Sequence, residues 1–395
     1  MRVLIVGSGI AGPTLAYWLA RTGHEPTLVE RAPQPRRGGY LVDFWGAGFD
    51  VAERMGIAAE LHRSGHHLTE ARSVDRRGRR VASFPAEAVV GDLGDRYVTI
   101  ARSDLASTIM SALDGRVETL FGETVAAVDD VDGAVHVRFA SGTSRDFDLV
   151  VGADGLHSAV RTLTFGAQEQ FERYLGMVVA VFEVEGYAPR TEGAAVMHAD
   201  VGFQLLRVSL RDDVTMFCVS LRHDDDLATV PDGPQEQQAL LRHRLAGAGW
   251  ETPAVLDTMG SARTFFFDRV SQIRMPSWTR GRVALVGDAA ACPSFLAGQG
   301  SALAMVEAYV LAVELARADG DHARAFARYH ERLGPLLRSK QDAAVGLGLA
   351  FAPRNRAALA VRNVAMRLMG LPYVPNLVMG RSLRDAVELP AVPVA

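Results

Sequence analysis

Two cysteines, Cys218 and Cys292, and a single lysine, Lys340, stand in the whole chain. Cysteines so few and so far apart make neither a disulfide framework nor a zinc cluster, and they fit a reducing compartment. A lysine-based mechanism would have Lys340 or nothing to use. No apolar run approaches the length that spans a bilayer. The first, Val3 to Val6, stops at glycine and lacks the basic start and cleavage pattern of a signal peptide, so a cytoplasmic location is expected. With a net charge of -4 there is no electrostatic case for nucleic acid. The basic stretch Arg76-Arg77-Gly78-Arg79-Arg80 reads as a solvated turn between strands. His62, His66 and His67 come without a matching carboxylate or cysteine pattern, so they read as surface histidines and no metal site is expected.

A composition of 48% apolar and 22% charged residues over 395 positions is that of a globular protein with room for two lobes. The opening reads as βαβ: strand Arg2 to Val6, a turn Gly7-Ser8-Gly9-Ile10-Ala11-Gly12, helix Pro13 to Arg21, and strand Pro26 to Glu30. GxGxxG between a strand and a helix is a dinucleotide turn, in which Gly9 admits a pyrophosphate against the backbone. Glu30, eighteen residues beyond Gly12, can accept hydrogen bonds from both ribose hydroxyls of an adenosine. A loop over Ala32 to Gly39 leads to a strand from Tyr40 to Trp45 and a helix from Gly48 to Met55. Arg102 begins a helix with Ser103 as its expected N-cap and serves either a phosphate or solvent.

Strands Glu118 to Val128 and Val135 to Phe139, joined at Asp132-Gly133, lead to the apolar strand before Gly152-Ala153-Asp154-Gly155, after which Ser158 and Arg161 open a helix. Alternating runs from Gly176 to Leu221 and at Ala262 to Phe267 predict an antiparallel sheet, with Asp224-Asp225-Asp226 as a solvated turn. A further strand from Arg282 delivers Asp288 at a Gly287-Asp288 turn, and the Gly298-Gln299-Gly300 pair opens a small-residue helix whose N–H groups and dipole suit a ligand that gains electrons. From His322 the chain reads as helical, packing across the back of the first lobe and ending in an extended tail. The expected fold is α/β: a Rossmann-like lobe (1–170, resumed over 276–320), an inserted antiparallel substrate lobe (171–275) and a helical C-terminal region (321–395).

In order and spacing these motifs resemble the single-component FAD-dependent aromatic hydroxylases, the para-hydroxybenzoate hydroxylase-like flavoprotein monooxygenases that include tetracycline-modifying and polyketide-tailoring members. The resemblance runs from residue 2 to about 316. It implies that Gly7, Gly9 and Gly12, with Ile10 and Ala11, hold the FAD pyrophosphate, that Glu30 and its neighbour Arg31 meet the adenosine, and that Arg102 lies along the phosphate and ribityl region. Backbone near Val125 would meet the adenine. Asp154 and Arg161 belong to the motif associated with FAD and reduced nicotinamide. Asp288, after Gly287, would bond the ribityl chain, and Gly298, Gln299 and Gly300 would face the pyrimidine edge of the flavin. The implied reaction is hydroxylation of a hydrophobic aromatic or polyketide-like small molecule, as in natural-product biosynthesis or antibiotic modification, with NADH or NADPH, O₂ and a C4a-hydroperoxyflavin.

The substrate contacts expected from the strand pattern are Tyr40, Phe44, Met197, Phe203, Phe217, Phe266 and Phe295, lining a cavity between the lobes. Two positions depart from the family pattern. Ala291 stands where histidine is common, and Phe295 replaces a proline near the reactive face, with Pro293 two residues earlier. Three readings therefore stand: an oxygenase, an FAD-containing isomerase or cyclase without net oxygen transfer, and a catalytically silent flavin-binding protein. Cys292 reads as a buried, inert thiol.

Overall fold

The computed structural model describes residues 1–35, 40–85, 91–224, 227–371 and 387–393. Residues 36–39 of the expected loop, Asp225 and Asp226 of the acidic turn, and most of the expected tail lie outside the described residues.

Arg2–Val6, Glu25–Glu30, Leu149–Gly152 and Val283–Leu285 are short apolar strands covered on both faces. They pair in parallel with one another. The sheet runs in the order Thr279–Arg280, Val283–Leu285, Leu149–Gly152, Arg2–Val6, Glu25–Glu30 and Glu118–Phe121, all parallel except its first, antiparallel strand. Three strands separated by long stretches of sequence thus end side by side. On one face the helices Ala11–Arg21 and Gly300–Arg317 pack together. Gly48, in the helix Ala47–Met55, lies so close to the second of these that a Cβ there would stand 2.5 Å from Ala302 Cα.

The expected strand Glu118 to Val128 is two strands in different sheets. Gly122, at φ 72°, breaks it, so that Glu118–Phe121 stays in the parallel sheet and Val125–Val131 opens a three-stranded antiparallel meander with Ala134–Phe139 and Ser144–Phe147. Ser103 is inside the helix Arg102–Ser111, whose N-cap is Ala101 with no side-chain cap.

The second sheet has seven strands in the order Thr264–Ile273, Glu172–Glu185, Val214–Arg222, Phe203–Ser209, Ala194–Asp200, Glu70–Val74 and Arg80–Pro85. All pairs are antiparallel except Ala194–Asp200 with Glu70–Val74. The hairpin over 70–85 therefore leaves the first lobe to finish this sheet, and the lobe is not the contiguous insert expected over 171–275. One face carries Met177, Val179, Val181, Met216 and Cys218, packed with Leu296 and Ala352. The other carries Val178, Ala180, Phe182, Phe217 and Val219, packed with Leu241, Leu245 and Val255. Burial on both faces makes Met177 to Val184 and Val214 to Leu221 nearly continuous apolar runs where alternation was expected.

The long helix His322–Phe351 does more than cross the back of the first lobe. Phe326, Tyr329 and Leu333 pack into that lobe's core, whereas the chain at Phe351 and Ala352 reaches the inner face of the second sheet. There buried Arg222 donates to the carbonyl of Ala352, and buried Arg362 donates to that of Ala350 and to the side-chain oxygen of Gln204. Among the described residues no helix is long and apolar enough to cross a membrane.

Candidate active site

The sequence motifs converge at the carboxyl ends of the parallel strands. Gly7 takes φ 109°, and a Cβ on it would stand 2.5 Å from the carbonyl oxygen of Ala153, so the first turn presses directly on the Gly-x-Asp-Gly strand end. Gly12 is tighter still, since its Cβ would fall 1.9 Å from the carbonyl oxygen of Gly7. Gly9 differs. A Cβ there would meet only the Arg102 guanidinium, at 3.6 Å, so the middle of the turn faces open space with a cation across it. Ile10 and Ala11 are buried beneath, where Ala11 abuts Gly287: a Cβ on Gly287 would lie 3.2 Å from that of Ala11.

Glu30 is buried at its strand end and braces the turn. One carboxylate oxygen accepts from Ser8 N at 2.9 Å and from Ser8 Oγ at 3.0 Å, and the other accepts from Ala32 N at 2.9 Å. Arg31 beside it is exposed, and Val125 is buried at the start of its strand. The Arg102 backbone N–H donates to Tyr40 O at 3.0 Å, which ties the start of that helix to the aromatic wall.

The second strand end is held from within. Asp154 accepts from Ser158 Oγ at 2.5 Å and from the N–H groups of Ala159 and Val160, and Ser158 caps the helix Ala159–Thr164 by accepting from Arg161 N. Burial pushes its carboxyl pKa up, and these hydrogen bonds pull it down. Arg161 has no exposed surface; its guanidinium donates to the carbonyls of Ala289 and Leu156 and to Gln168 Oε1. Through Ala289 it braces the chain just after the Gly287-Asp288 turn.

Gly287 N donates to Glu307 Oε2 at 2.9 Å, a contact that sequence reasoning missed. Glu307 sits within the apolar helix Gly300–Arg317, and burial raises its pKa to about 8. The Tyr329 hydroxyl lies 3.2 Å from both Leu285 O and Glu307 Oε2. Its one proton cannot serve both, and a protonated Glu307 completes the set. The only signal in the sequence is that Glu307 is one of two acids, with Glu314, amid the small and apolar residues of this helix.

The loop after Cys292 is strained. Ser294 is a buried non-glycine residue at φ 98°, a backbone state that persists only where the surroundings impose it and that clusters at ligand sites. Pro293 O accepts from Gln272 Nε2, and Ser294 Oγ accepts from Leu296 N. Gly298 is left-handed with nothing within 4 Å of its Cβ position, and the nearest atom to that of Gly300 is Asp288 Oδ1 at 3.7 Å. Gln299, the N-cap of the following helix, makes no side-chain capping bond to the first N–H groups of that helix. Cys292 is buried, and burial raises its thiol pKa well above the usual range.

Three of the seven predicted substrate residues meet above this loop. The Tyr40 ring lies 5.6 Å from Phe266 and 5.5 Å from Phe295. Met197 is half-buried and pairs across strands with Leu206, which packs on the inner face of the sheet. The other three are core. Phe44 is wholly buried against Phe49 in the first lobe, while Phe203 and Phe217 point to the outer face of the second sheet. A one-residue step along a strand reverses the face, so Met216 and Cys218 occupy the inner face in place of Phe217.

The FAD binding domain family matches residues 1–333 of the chain. A flavin-dependent monooxygenase from an unknown prokaryotic organism is 35% identical over 351 residues, or 89% of this chain and 90% of its own. Another, from Legionella longbeachae, is 31% identical over 390 residues, covering 99% and 98% of the two chains. The chain belongs to the family of FAD-dependent monooxygenases. The crystal structure of the tetracycline destructase Tet(55) shares this flavoprotein's fold with a TM-score of 0.85 at 32% identity, covering 98% of both chains. The flavoprotein's own residues fit FAD. An open Gly9 cradle opposite a guanidinium suits a pyrophosphate, and a helix start without a side-chain cap beside Gly298 suits an electron-accepting ring.

Proposed function

We propose that this flavoprotein oxygenates a hydrophobic aromatic or polyketide-like small molecule, with NADH or NADPH as reductant and O₂ as co-substrate. The observation that carries this reading is the Tyr40, Phe266 and Phe295 wall beside the Gly298 to Gly300 loop, with the apolar inner face of the seven-stranded sheet behind it. The structural relative Tet(55), by its name, acts on tetracycline, and a flat hydrophobic substrate would fit such a wall.

The Gly9 turn and Arg102 would hold the pyrophosphate, Glu30 the adenosine ribose, backbone near Val125 the adenine, and Asp288 the ribityl chain. Backbone from Gly298 to Gly300 would meet the pyrimidine edge of the ring. When bound, FAD supplies acceptance of two electrons from the nicotinamide and activation of oxygen. The start of the helix Gly300–Arg317 favours negative charge in front of it. Tyr40, Phe266 and Phe295 orient a flat substrate and, with the inner sheet face, keep water out. Asp154 and Arg161 position the two strand-end turns.

The test is the visible spectrum of the purified protein, followed by NADH and NADPH oxidation in air and without oxygen, with phenols and tetracycline as the panel. Flavin bands and substrate-stimulated, oxygen-dependent oxidation are expected. Bound flavin that neither nicotinamide reduces, with a proven ligand present, would move the reading to an isomerase or cyclase. Phe295, whose bulk sits in the wall, is the residue that favours that alternative. Separately, Glu30→Ala is expected to lower FAD retention about tenfold, the size of one lost charge-assisted hydrogen bond. A variant that purifies fully loaded would overturn the ribose contact.

A further inference from the structure

The outer face of the seven-stranded sheet carries a cavity of about 400 Å³, away from the flavin side, lined by Arg72, Val74, Arg80, Val196, Arg207 and Trp250 together with Gly78 and Glu251. Strand register lays these residues out in two rows. Arg72, Val196 and Arg207 are neighbours across three strands, and Arg80 pairs with Val74 in the next row. Val74 and Val196 are buried beneath, and the exposed lining is mainly the guanidinium groups and the Trp250 ring.

Charge here is unevenly committed. Arg207 is buried and donates to both Glu251 oxygens and, from its other terminal nitrogen, to Thr191 Oγ1 at 2.8 Å. Arg72 is paired with Glu70. Arg80 is exposed and makes no ion pair among the described residues. One wall is an indole held at a backbone cost: Trp250 sits at φ 56°, its backbone N–H donating to Arg76 O at 2.6 Å, and the Arg207 guanidinium stands 5.5 Å from its ring centroid. A bulky side chain in the left-handed region persists only when its surroundings fix it. A Cβ on the preceding Gly249 would stand 2.4 Å from that of Arg76, so the hairpin turn clasps this segment.

We propose that this cavity is a second ligand site of the flavoprotein, taking a small planar organic anion of the aromatic carboxylate class. The ring lies against the Trp250 indole, and the carboxylate meets Arg80 and Arg72. The site is independent of the oxygenase reading, since it uses none of the residues assigned there. It shares strands with the flavin-facing wall, for Val196 and Arg207 alternate with Met197 and Leu206.

The probe is 2-naphthoate, titrated by calorimetry into the full-length, flavin-loaded protein, with 2-naphthamide and inorganic phosphate as the uncharged and ringless controls. We expect saturable binding of the acid and at least about tenfold weaker binding of both controls. Arg72→Gln with Arg80→Gln should weaken the acid at least about tenfold. Trp250→Gly, which removes the ring and accepts the positive φ, should do the same with the protein folded. Binding unchanged in either variant would place the acid elsewhere and overturn the proposal, as would equal binding of the amide or phosphate, or no binding by the parent protein. Should the double variant fail to fold, Arg80→Gln alone, at an exposed side chain, decides the same question.

Discussion

Gly12→Ala is expected to purify almost free of flavin, with FAD affinity reduced about a hundredfold. The added Cβ would fall 1.9 Å from the carbonyl oxygen of Gly7 and 3.3 Å from Leu28 Cδ1. The first obstacle is backbone and cannot swing away. The turn would have to open, which also loosens Gly7 from Ala153 and hence two strand ends from each other. Overpacking of this kind costs about 3 kcal/mol, so the thermal unfolding midpoint of the apoprotein should fall as well. Gly9→Ala is the informative control. Its Cβ meets only Arg102, at 3.6 Å, so the apoprotein should keep its stability while the methyl group occupies the phosphate cradle. The flavin-to-protein ratio and a melting curve on each variant check both halves. A fully loaded Gly12→Ala protein would show that the turn is not under the constraint described.

The second large effect is on stability against pH and comes from Glu307. Its pKa in the folded protein is raised to about 8 from an ordinary 4.5, burial being the main cause and the neighbouring Asp288 adding to it, against the pull of Gly287 N and Tyr329. The folded state therefore keeps a proton that the unfolded chain releases above about pH 4.5. Stability should fall as pH rises from there through about 8 and level off beyond, with a contribution from this residue approaching about 1.4 kcal/mol per pH unit. Glu307→Gln keeps an acceptor for Gly287 N and cannot ionise. Its urea midpoint should be close to that of the parent at pH 5.5 and higher at pH 8.5. Equal pH slopes for the two proteins would mean that Glu307 is ionised in the fold.

Local chemistry makes part of this protein legible in its sequence alone. The glycine turn, the acid closing the next strand, Asp154 with Ser158, and the Gly287-Asp288 turn before a small-residue helix are set by the conformations that glycine permits and by the acceptors that a helix start needs. Each is a matter of a few consecutive residues. Their convergence also follows, because parallel strands place their carboxyl ends on one edge.

What the sequence could not decide is which face a strand residue takes and which sheet a strand joins. Phe217 and Met216 are adjacent and both apolar, and only the pairing of Val214–Arg222 between its neighbours turns the first to the outer core and the second inward. The Glu70–Val74 strand lies far from Ala194–Asp200 in the chain, and its membership of the second sheet rests on hydrogen bonds between them. Arg161 reads as a ligand contact in its motif and is a buried brace in the fold: Leu156 and Gln168 lie within seven residues of it, but Ala289, its third acceptor, is brought beside it only by the pairing of distant strands. Period-two patterning loses its directional signal when both faces of a sheet are covered, and long-range pairing is then the only thing that chooses the side.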